Sequence, residues 1–156
     1  MRRGKDGQCQ FYMRLTSNFT LEELTASGTA ARLGINNEPN ELQLSNIRRL
    51  AYMLQELRNM FDAPIFINSG FRCKELNQAV GSSSSSQHLK GCAADIRVSG
   101  YAPREAVKKI MESGIPYDQV INEYDSWVHI SVPNEVGKEP RKNALTIDKD
   151  GVRVFS

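Results

Sequence analysis

The only two histidines of the chain, His88 and His129, are the residues whose chemistry best suits a metal site. His88 follows a serine-rich stretch and precedes Asp95 by seven positions, while His129 lies in an apolar segment far downstream. Two neutral imidazoles and one carboxylate form a ligand set that catalytic zinc uses, with the fourth position left to water. These three residues are therefore the candidate metal ligands.

The spacing of His88 and Asp95 restricts how such a site can be built. On one helix they would lie about 10 Å apart, whereas bonds from zinc to its ligands are about 2 Å long. A turn at Gly91 must bring the chain back, with Asp95 on a strand beside the His88 loop. The sequence has no HExxH segment, which excludes the helical zincin arrangement.

Two alternatives remain open from these residues alone. His129 could be a structural histidine in a strand, and Asp95 could cap or pair with another group. Two histidines and a carboxylate also serve iron(II) oxygenases, although those enzymes are usually larger jelly rolls than this strand pattern predicts.

Hydrophobic periodicity predicts an α+β fold in which helices pack on one small, mostly antiparallel sheet. Thr20 and Glu23 indicate a capping box at the start of the first helix, with Phe19 and Leu24 as its hydrophobic staple. The predicted helices cover residues 21–27, 42–60 and 103–113; the predicted strands cover a buried run at 65–67, then 93–98, 120–121, 127–132 and a hairpin over 145–155. Residues 1–17 show no periodicity and are predicted to be a poorly ordered leader to a single domain over 18–156.

Composition and charge exclude several classes of protein. Hydrophobic residues make up 40% and charged residues 24%, and the net charge is +2, which is typical of a soluble globular domain. No basic patch or motif indicates nucleic-acid binding, and no apolar run approaches the roughly 18 residues of a membrane span. We expect a monomer without a membrane span. The first residues lack the apolar stretch of a secretory signal, so we expect the chain to be cytoplasmic as synthesised and to reach any cell-wall target by another route.

The three cysteines do not form a CxxC pair, which argues against a thiolate zinc site. Cys73 and Cys92 could form a disulfide if their loops meet. Without an export signal, buried free thiols are the default interpretation.

Four separated segments resemble the peptidoglycan zinc peptidases. Ser86–Asp95 reads SxHxxGxAxD, and Trp127–His129 reads WxH. Upstream, Ser69–Arg72 is similar to that family's SGYR or SGFR segment, and Leu76–Gly81 is also similar. The resemblance covers roughly residues 18–133. That family includes D-Ala-D-Ala carboxypeptidases, D-Ala-D-Ala dipeptidases and phage L-alanyl-D-glutamate endolysins. Its members share their fold with the hedgehog signalling domain.

The resemblance implies a role for each matching residue. It implies Zn²⁺ as the cofactor, bound by His88, Asp95 and His129. It implies that the substrate, a peptidoglycan peptide, contacts Arg72, Ser86, Gln87 and Trp127. Arg72 would also act in catalysis, because its fixed charge could stabilise a developing oxyanion.

The general base is the point at which this sequence departs from many relatives, which place an acid three residues before the last histidine. That position is Ser126 here, so Glu123 and Asp125 are the candidates. If residues 124–126 form a three-residue hairpin loop, Glu123 faces Trp127 and shares a sheet face with His129; a two-residue loop would turn it away. We predict Glu123 as the catalytic base of a zinc peptidase. The alternative is a non-catalytic zinc module that binds the cell wall or forms part of a phage.

Overall fold

The structure is a computed structural model that describes residues 2–3, 9–10 and 13–156, with side chains from residue 13 onward. Its helices are α1 (Leu21–Thr25), α2 (Gly28–Leu33), α3 (Glu41–Phe61), α4 (Lys74–Ala79) and α5 (Pro103–Glu112), with a 3-10 turn at Gln87–Lys90. Its strands are β1 (Arg2–Arg3), β2 (Cys9–Gln10), β3 (Ile65–Ser69), β4 (Ala93–Val98), β5 (Gln119–Glu123), β6 (Trp127–Ser131), β7 (Asn143–Asp148) and β8 (Gly151–Val154). No helix among these residues is long and apolar enough to span a membrane.

Six strands form one mixed sheet in the order β3-β4-β6-β5-β7-β8, apart from the short antiparallel pair β1-β2. All neighbours in the large sheet are antiparallel except β5 and β7, which run parallel. The α+β, mostly antiparallel prediction is therefore confirmed, and so is the tail hairpin, in which Asp148 pairs with Gly151. The hedgehog-like classification stays a prediction.

The long helix α3 supplies one side of the core. Asn40 accepts from the Gln43 backbone N–H at 2.8 Å and Gln43 reaches back to the Asn40 N–H at 2.9 Å, a capping box that fixes where the helix begins. Residues at helical spacing along α3 are fully buried: Ile47, Leu50, Leu54 and Leu57. Burial of each contributes about 1.5–3 kcal/mol. The prediction of a helix over 42–60 is confirmed to within one residue at each end.

Some of the shorter helices were predicted from the sequence, and others were not. The capping box of α1 is present, with the Thr20 hydroxyl accepting from the Glu23 backbone N–H at 3.2 Å, and Phe19 and Leu24 are both buried. Helix α5 lies where the sequence predicted it. Helices α2 and α4 and the 3-10 turn were not predicted, because runs of four to six residues are too short to show a period.

Strand β3 corrects the prediction of a fully buried strand at residues 65–67. It is an edge strand of the sheet, and its side chains alternate between core and solvent. Ile65 is buried, whereas Phe66 is 51% exposed and the Arg97 guanidinium lies 5.9 Å from its ring centre. A short apolar run cannot distinguish an edge strand from a central one.

The predicted leader over 1–17 lies partly outside the described residues, and the division at residue 17 stays a prediction. Just before α1, the Met13 carbonyl accepts from the Leu21 N–H at 2.7 Å, and Arg14 forms a β-bridge with Thr20. Met13 and Leu15 pack against the core. This part of the chain is therefore held to the start of α1.

The predicted turn at Gly91 returns the chain from His88 to β4. Gly91 has φ of +78°, in the left-handed region, and its N–H donates to the carbonyls of Gln87 and His88. A Cβ at this position would lie 2.7 Å from the Gln43 carbonyl oxygen and 2.8 Å from Ile47 Cγ1. The turn therefore requires glycine both for its backbone conformation and for its close approach to α3.

We expect Gly91→Ala to lower the free energy of unfolding by about 3 kcal/mol. The left-handed backbone costs an L-residue about 1–2 kcal/mol, and overpacking against fixed atoms costs about 1–3 kcal/mol more. Gly137→Ala is the matched control, because Gly137 has φ of +83° but open space around a Cβ. Urea unfolding with a chelator present measures both without any contribution from metal. If Gly91→Ala and Gly137→Ala lowered the free energy of unfolding equally, the close contact between Gly91 and α3 would be contradicted.

Candidate metal centre and active site

The structure brings His88, Asp95 and His129 together on one face of the sheet. Asp95 in β4 pairs directly with His129 in β6, so both side chains point to the same side. The 3-10 turn places His88 above them. His88 Nε2 lies 3.4 Å from Asp95 Oδ2, and His129 Nδ1 lies 3.1 Å from Asp95 Oδ1. All three side chains are at least four-fifths buried.

The donor atoms of these residues fit a single divalent cation. One atom from each residue can be chosen so that all lie within 4.8 Å of one another. Two ligands at tetrahedral positions around an ion with bonds of about 2.1 Å are about 3.4 Å apart, close to both contacts of Asp95. Nitrogen and carboxylate donors in this number suit zinc, with one coordination position free for water.

The backbone fixes which nitrogen of His88 faces the cluster. His88 Nδ1 lies 2.7 Å from the Gly70 carbonyl oxygen, and a carbonyl can only accept a hydrogen bond, so Nδ1 carries the proton. The lone pair of Nε2 is then directed at Asp95. A Cβ on Gly70 would lie 2.4 Å from the Leu24 carbonyl oxygen, so glycine is needed for this close packing. A histidine oriented by a backbone carbonyl is a common outer-shell feature of zinc sites.

Burial and the carboxylate set the protonation of the cluster. Burial lowers the pKa of His88 below its ordinary value, despite the opposing effect of Asp95. Burial alone would raise the pKa of Asp95, but the hydrogen bond from His129 and the proximity of His88 outweigh it and lower this pKa below its usual range. At neutral pH the set is therefore a neutral imidazole beside an ionised carboxylate, the protonation that metal binding requires.

Glu123 lies beside the cluster because of the loop that joins β5 to β6. Glu123 pairs with Trp127, so residues 124–126 form the predicted three-residue loop, with Tyr124 and Asp125 at positive φ. The loop is held to the neighbouring strand by a hydrogen bond from the Tyr124 N–H to the Ile147 carbonyl at 2.8 Å. Glu123 Oε1 lies 3.9 Å from His129 Nδ1. Burial and then the negative charge of Asp95 raise the pKa of Glu123.

Asp125, the other candidate base, is directed elsewhere. Its Oδ1 accepts a hydrogen bond from Asn122 Nδ2 at 2.8 Å. Asn122 alternates with Glu123 along β5 and is buried on the opposite face of the sheet. The geometry therefore favours Glu123 over Asp125 as the carboxylate that can act at the metal.

Arg72 approaches the cluster from the side of β3. Its backbone N–H donates to the His88 carbonyl at 3.1 Å, which holds it next to the 3-10 turn. Burial lowers the pKa of Arg72, and the charges of Asp95 and Glu123 oppose that shift. Among the described residues no carboxylate forms an ion pair with Arg72, and its Nε has no hydrogen-bond partner. The guanidinium therefore remains available to a ligand.

Trp127 lies on the same sheet face as Glu123 and His129. Its indole Nε1 is buried and has no hydrogen-bond partner among the residues the structure describes. Its ring is tilted against that of Tyr124, with 6.3 Å between the ring centres. Trp127 is thus placed to line the active site, and its indole N–H is near enough to Glu123 to oppose the rise in the pKa of that carboxyl.

A cavity of about 600 Å³ opens beside His129. The serine-rich segment forms one wall, including Ser86, whose hydroxyl accepts from the His88 N–H at 3.2 Å. The segment between β6 and β7 forms the other wall. The serine-rich stretch before His88 is therefore part of the rim of this cavity. A cavity of this volume is in the range that holds a small ligand or a short peptide.

The sequence did not predict three polar residues around Gln87. Gln87 Nε2 donates to Asp118 Oδ2 at 3.1 Å and to Asn134 Oδ1 at 2.8 Å, and Arg141 binds the same Asp118 oxygen. These residues are more than 30 positions from Gln87 along the chain, and no local motif marks them. Only the return of the chain through the sheet brings them together.

Cys73 and Cys92 are both free thiols. Burial raises the pKa of Cys92, and the nearby Arg49 opposes that shift. Cys73 caps α4, its sulfur accepting from the Leu76 N–H at 3.5 Å. Neither sulfur belongs to the metal cluster; the prediction of a buried free thiol is confirmed for Cys92, whereas Cys73 is free but only partly buried.

A buried pair of histidines and an aspartate, next to a carboxylate and a cavity, is the arrangement of a metal-dependent hydrolase. The sequence model of the Peptidase M15 family matches residues 17–131 of the chain. The chain therefore belongs to the M15 family, the zinc peptidases of the D-Ala-D-Ala carboxypeptidase and endolysin type. This membership supports a metallopeptidase and removes the iron(II) oxygenase alternative. Among curated proteins, none matches this chain.

We expect the protein to bind one zinc ion per chain. His129→Ala should lower the zinc affinity by at least about tenfold, because one of the three ligands is lost. Competition with a chromophoric chelator gives the affinity, and elemental analysis gives the stoichiometry. Asp125→Asn is the control, because Asp125 contacts Asn122 and not the cluster. Unchanged affinity in both His129→Ala and His88→Ala would show that the metal binds elsewhere.

Proposed function

We propose that this protein is a zinc-dependent peptidase that hydrolyses a short peptide bond in the stem peptides of peptidoglycan. The observation that carries the proposal is the position of Glu123, which shares a sheet face with His129 and Asp95 and lies at the edge of the three-donor cluster. Family membership supports a peptidase, and the resemblance of the motifs supports a cell-wall substrate. We further propose that the protein acts as a monomer, at the wall, after release or export by a separate route.

The residues of the cluster would hold zinc through His88 Nε2, Asp95 and His129 Nδ1. When bound, zinc polarises the scissile carbonyl and lowers the pKa of water to about 7. Glu123 then has the role of general base: its carboxylate takes a proton from the attacking water and delivers it to the leaving amine. The partly buried position of Glu123 suits this exchange, because burial raises its pKa towards the working pH.

Arg72 and the cavity supply binding and charge stabilisation. The unpaired guanidinium of Arg72 can donate to the oxygen on which negative charge develops, or to a substrate carboxylate. Ser86 and Gln87 lie on the cavity wall and Trp127 lies on the sheet face of the cluster, where they can contact the peptide on either side of the scissile bond.

Glu123→Gln is expected to lower peptide hydrolysis by about 10²–10⁴-fold, because the amide cannot accept the proton. Zinc affinity should stay within about threefold of the wild type, because Glu123 is not one of the three ligands. Mass spectrometry of muropeptides after digestion by the zinc-loaded protein identifies the bond and gives the rate. Asp125→Asn is the matched control and should remain active.

The outcomes of this comparison separate the two candidate functions. Loss of activity in Asp125→Asn but not in Glu123→Gln would assign the base to Asp125. A wild-type protein that binds zinc but releases no peptide product from peptidoglycan would instead be a non-catalytic zinc module of the cell wall or of a phage.

Arg72→Met is expected to lower kcat/KM by about 10²-fold, because a fixed positive charge at the developing oxyanion is lost. Arg72→Lys should recover part of this loss, since it restores the charge without the planar fork. The measurement is the rate of product formation at several substrate concentrations. Unchanged kcat/KM in Arg72→Met would restrict Arg72 to a structural role beside His88.

A further inference from the structure

A chain of polar contacts, which we call the polar relay, links the 3-10 turn of His88 to the segment between β6 and β7. It consists of Gln87, Asp118 and Arg141. Arg141 Nη2 and Nε donate to Asp118 Oδ2 at 2.7 and 3.0 Å, and its backbone N–H donates to Asp118 Oδ1 at 2.9 Å. Gln87 Nε2 donates to the same Oδ2 at 3.1 Å.

We propose that Arg141 is a positioning residue of the metal centre, acting through Asp118 and Gln87 on the turn that carries His88. The proposal deepens the proposed function and rests on it for its catalytic meaning, but its effect on metal affinity can be measured without any substrate. Arg141 lies outside residues 17–131, the part of the chain that matches the family model. The metal centre would therefore depend on a segment that the family pattern does not include.

In the first step of the relay, Arg141 keeps the buried carboxylate of Asp118 ionised. The Asp118 side chain is only 5% exposed, whereas that of Arg141 is 51% exposed. Burial alone would raise the pKa of Asp118, but the hydrogen bonds and charge of Arg141 outweigh it, so the pKa lies below its ordinary value. Arg141 thus keeps a buried carboxylate ionised and fixed in direction.

In the second step, the carboxylate of Asp118 fixes the side chain of Gln87 by accepting a hydrogen bond from it. Gln87 is buried, and its Nε2 donates to Asp118, to the Val132 carbonyl at 3.2 Å and to Asn134. The Gln87 carbonyl accepts from the backbone N–H of Cys92 at 3.1 Å. Gln87 is therefore tied on both its side chain and its backbone.

The third step runs from Gln87 to the ligand itself. His88 is the next residue in the same 3-10 turn, and Gly91 closes that turn. A shift of Gln87 would rotate the turn and move His88 Nε2 relative to Asp95. Outer-shell partners of metal ligands typically change metal affinity by about 10–100-fold when they are lost, and Arg141 is one contact further away.

A simpler role for Arg141 is to anchor the last two strands. The Asn143 N–H donates to the Asp118 carbonyl at 3.0 Å, so Asp118 also lies at the start of β7. An anchor of this kind would change the stability of the fold but not the affinity of the folded protein for zinc. The two roles therefore differ in what they predict.

The hairpin of β7 and β8 offers a control pair of arginine and aspartate, in which the Asp148 side chain is 26% exposed against 5% for Asp118. Arg153 forms an ion pair with Asp148, with Nη2 and Oδ2 2.6 Å apart and the guanidinium equally exposed. This pair joins β7 and β8 and has no contact with Gln87 among the described residues. Arg141→Met and Arg153→Met thus remove the same type of side chain from the same type of pair.

We expect Arg141→Met to lower zinc affinity at pH 7.5 by about tenfold, at the low end of outer-shell effects, and Arg153→Met to change it less than about twofold. Arg141→Lys should lose less than Arg141→Met, because the charge is kept. Chelator competition gives the affinity, and thermal unfolding with a chelator present verifies that each variant is folded. A lowered unfolding temperature in Arg141→Met with unchanged zinc affinity would reduce Arg141 to an anchor.

Two further variants test the relay itself. If Arg141 acts through Gln87, the double variant Gln87→Met/Arg141→Met should lose no more zinc affinity than Gln87→Met alone. Losses that multiply would overturn the relay. Asp118→Asn should weaken zinc binding at pH 7.5, because an amide is a poorer acceptor for Gln87 than a carboxylate.

The pH dependence separates positioning from anchoring. The titratable and charged groups around Asp118 are Arg141, the Cys92 thiol, and three residues that line the same cavity, His129, Lys138 and Glu139. Without the Arg141 side chain the largest single effect on the pKa of Asp118 is burial, which raises it, so Asp118 gains a proton more readily than in the wild type as the pH falls. The affinity ratio of wild type to Arg141→Met should therefore grow by about threefold between pH 7.5 and 5.5; the ratio for Asp118→Asn should not. A ratio that stays constant for Arg141→Met would contradict the proposal.

The same samples distinguish failure of the proposal from failure of the proposed function. Zinc affinities that follow the relay, with no peptide product from the wild-type protein, would keep Arg141 as a positioning residue and reject the peptidase. Normal peptide hydrolysis by Arg141→Met, together with a zinc affinity equal to that of the wild type, would keep the peptidase function and reject Arg141 as a positioning residue.

Discussion

The direct pairing of Asp95 with His129 across β4 and β6 is the constraint on which the rest of the site depends. It places a carboxylate and an imidazole on the same sheet face at hydrogen-bond distance, and everything else approaches that pair. Gly91 returns the chain so that His88 lies above it, and the three-residue loop turns Glu123 to the same face. Because side chains alternate along a strand, a register shift of one residue in either strand would remove the pair altogether.

The electrostatics of the site follow from crowding these groups in a buried place. Burial keeps His88 neutral, the adjacent histidines keep Asp95 ionised, and burial together with the negative charge of Asp95 raises the pKa of Glu123. Asp95 is thereby suited to binding a cation, and Glu123, at the edge of the cluster, is suited to exchanging protons. The unpaired guanidinium of Arg72 adds a fixed positive charge that interacts with both carboxylates.

Much of this site could be predicted from the sequence, because its parts are marked by local signals. The scarcity of histidine singled out His88 and His129, and the spacing to Asp95 required the turn that Gly91 makes. The parity of a three-residue loop placed Glu123 correctly. The relay of Gln87, Asp118 and Arg141 could not be predicted, because it depends on the parallel pairing of β5 with β7, and hydrophobic periodicity does not specify strand order. The short helices α2 and α4 escaped prediction because their caps and tertiary contacts, rather than a repeating pattern, stabilise them.

The hydrogen bond between the Tyr124 N–H and the Ile147 carbonyl has a consequence for how this enzyme can vary. It braces the hairpin tip that carries Glu123 against a strand that lies beyond the family-matched region. Because the turn of Lys149 and Asp150 is exposed and lies past this hydrogen bond, we expect it to tolerate changes of length. An inserted residue before Ile147 would displace the carbonyl that receives Tyr124. The inner half of the tail is therefore constrained by the loop that carries Glu123, whereas the outer half is not.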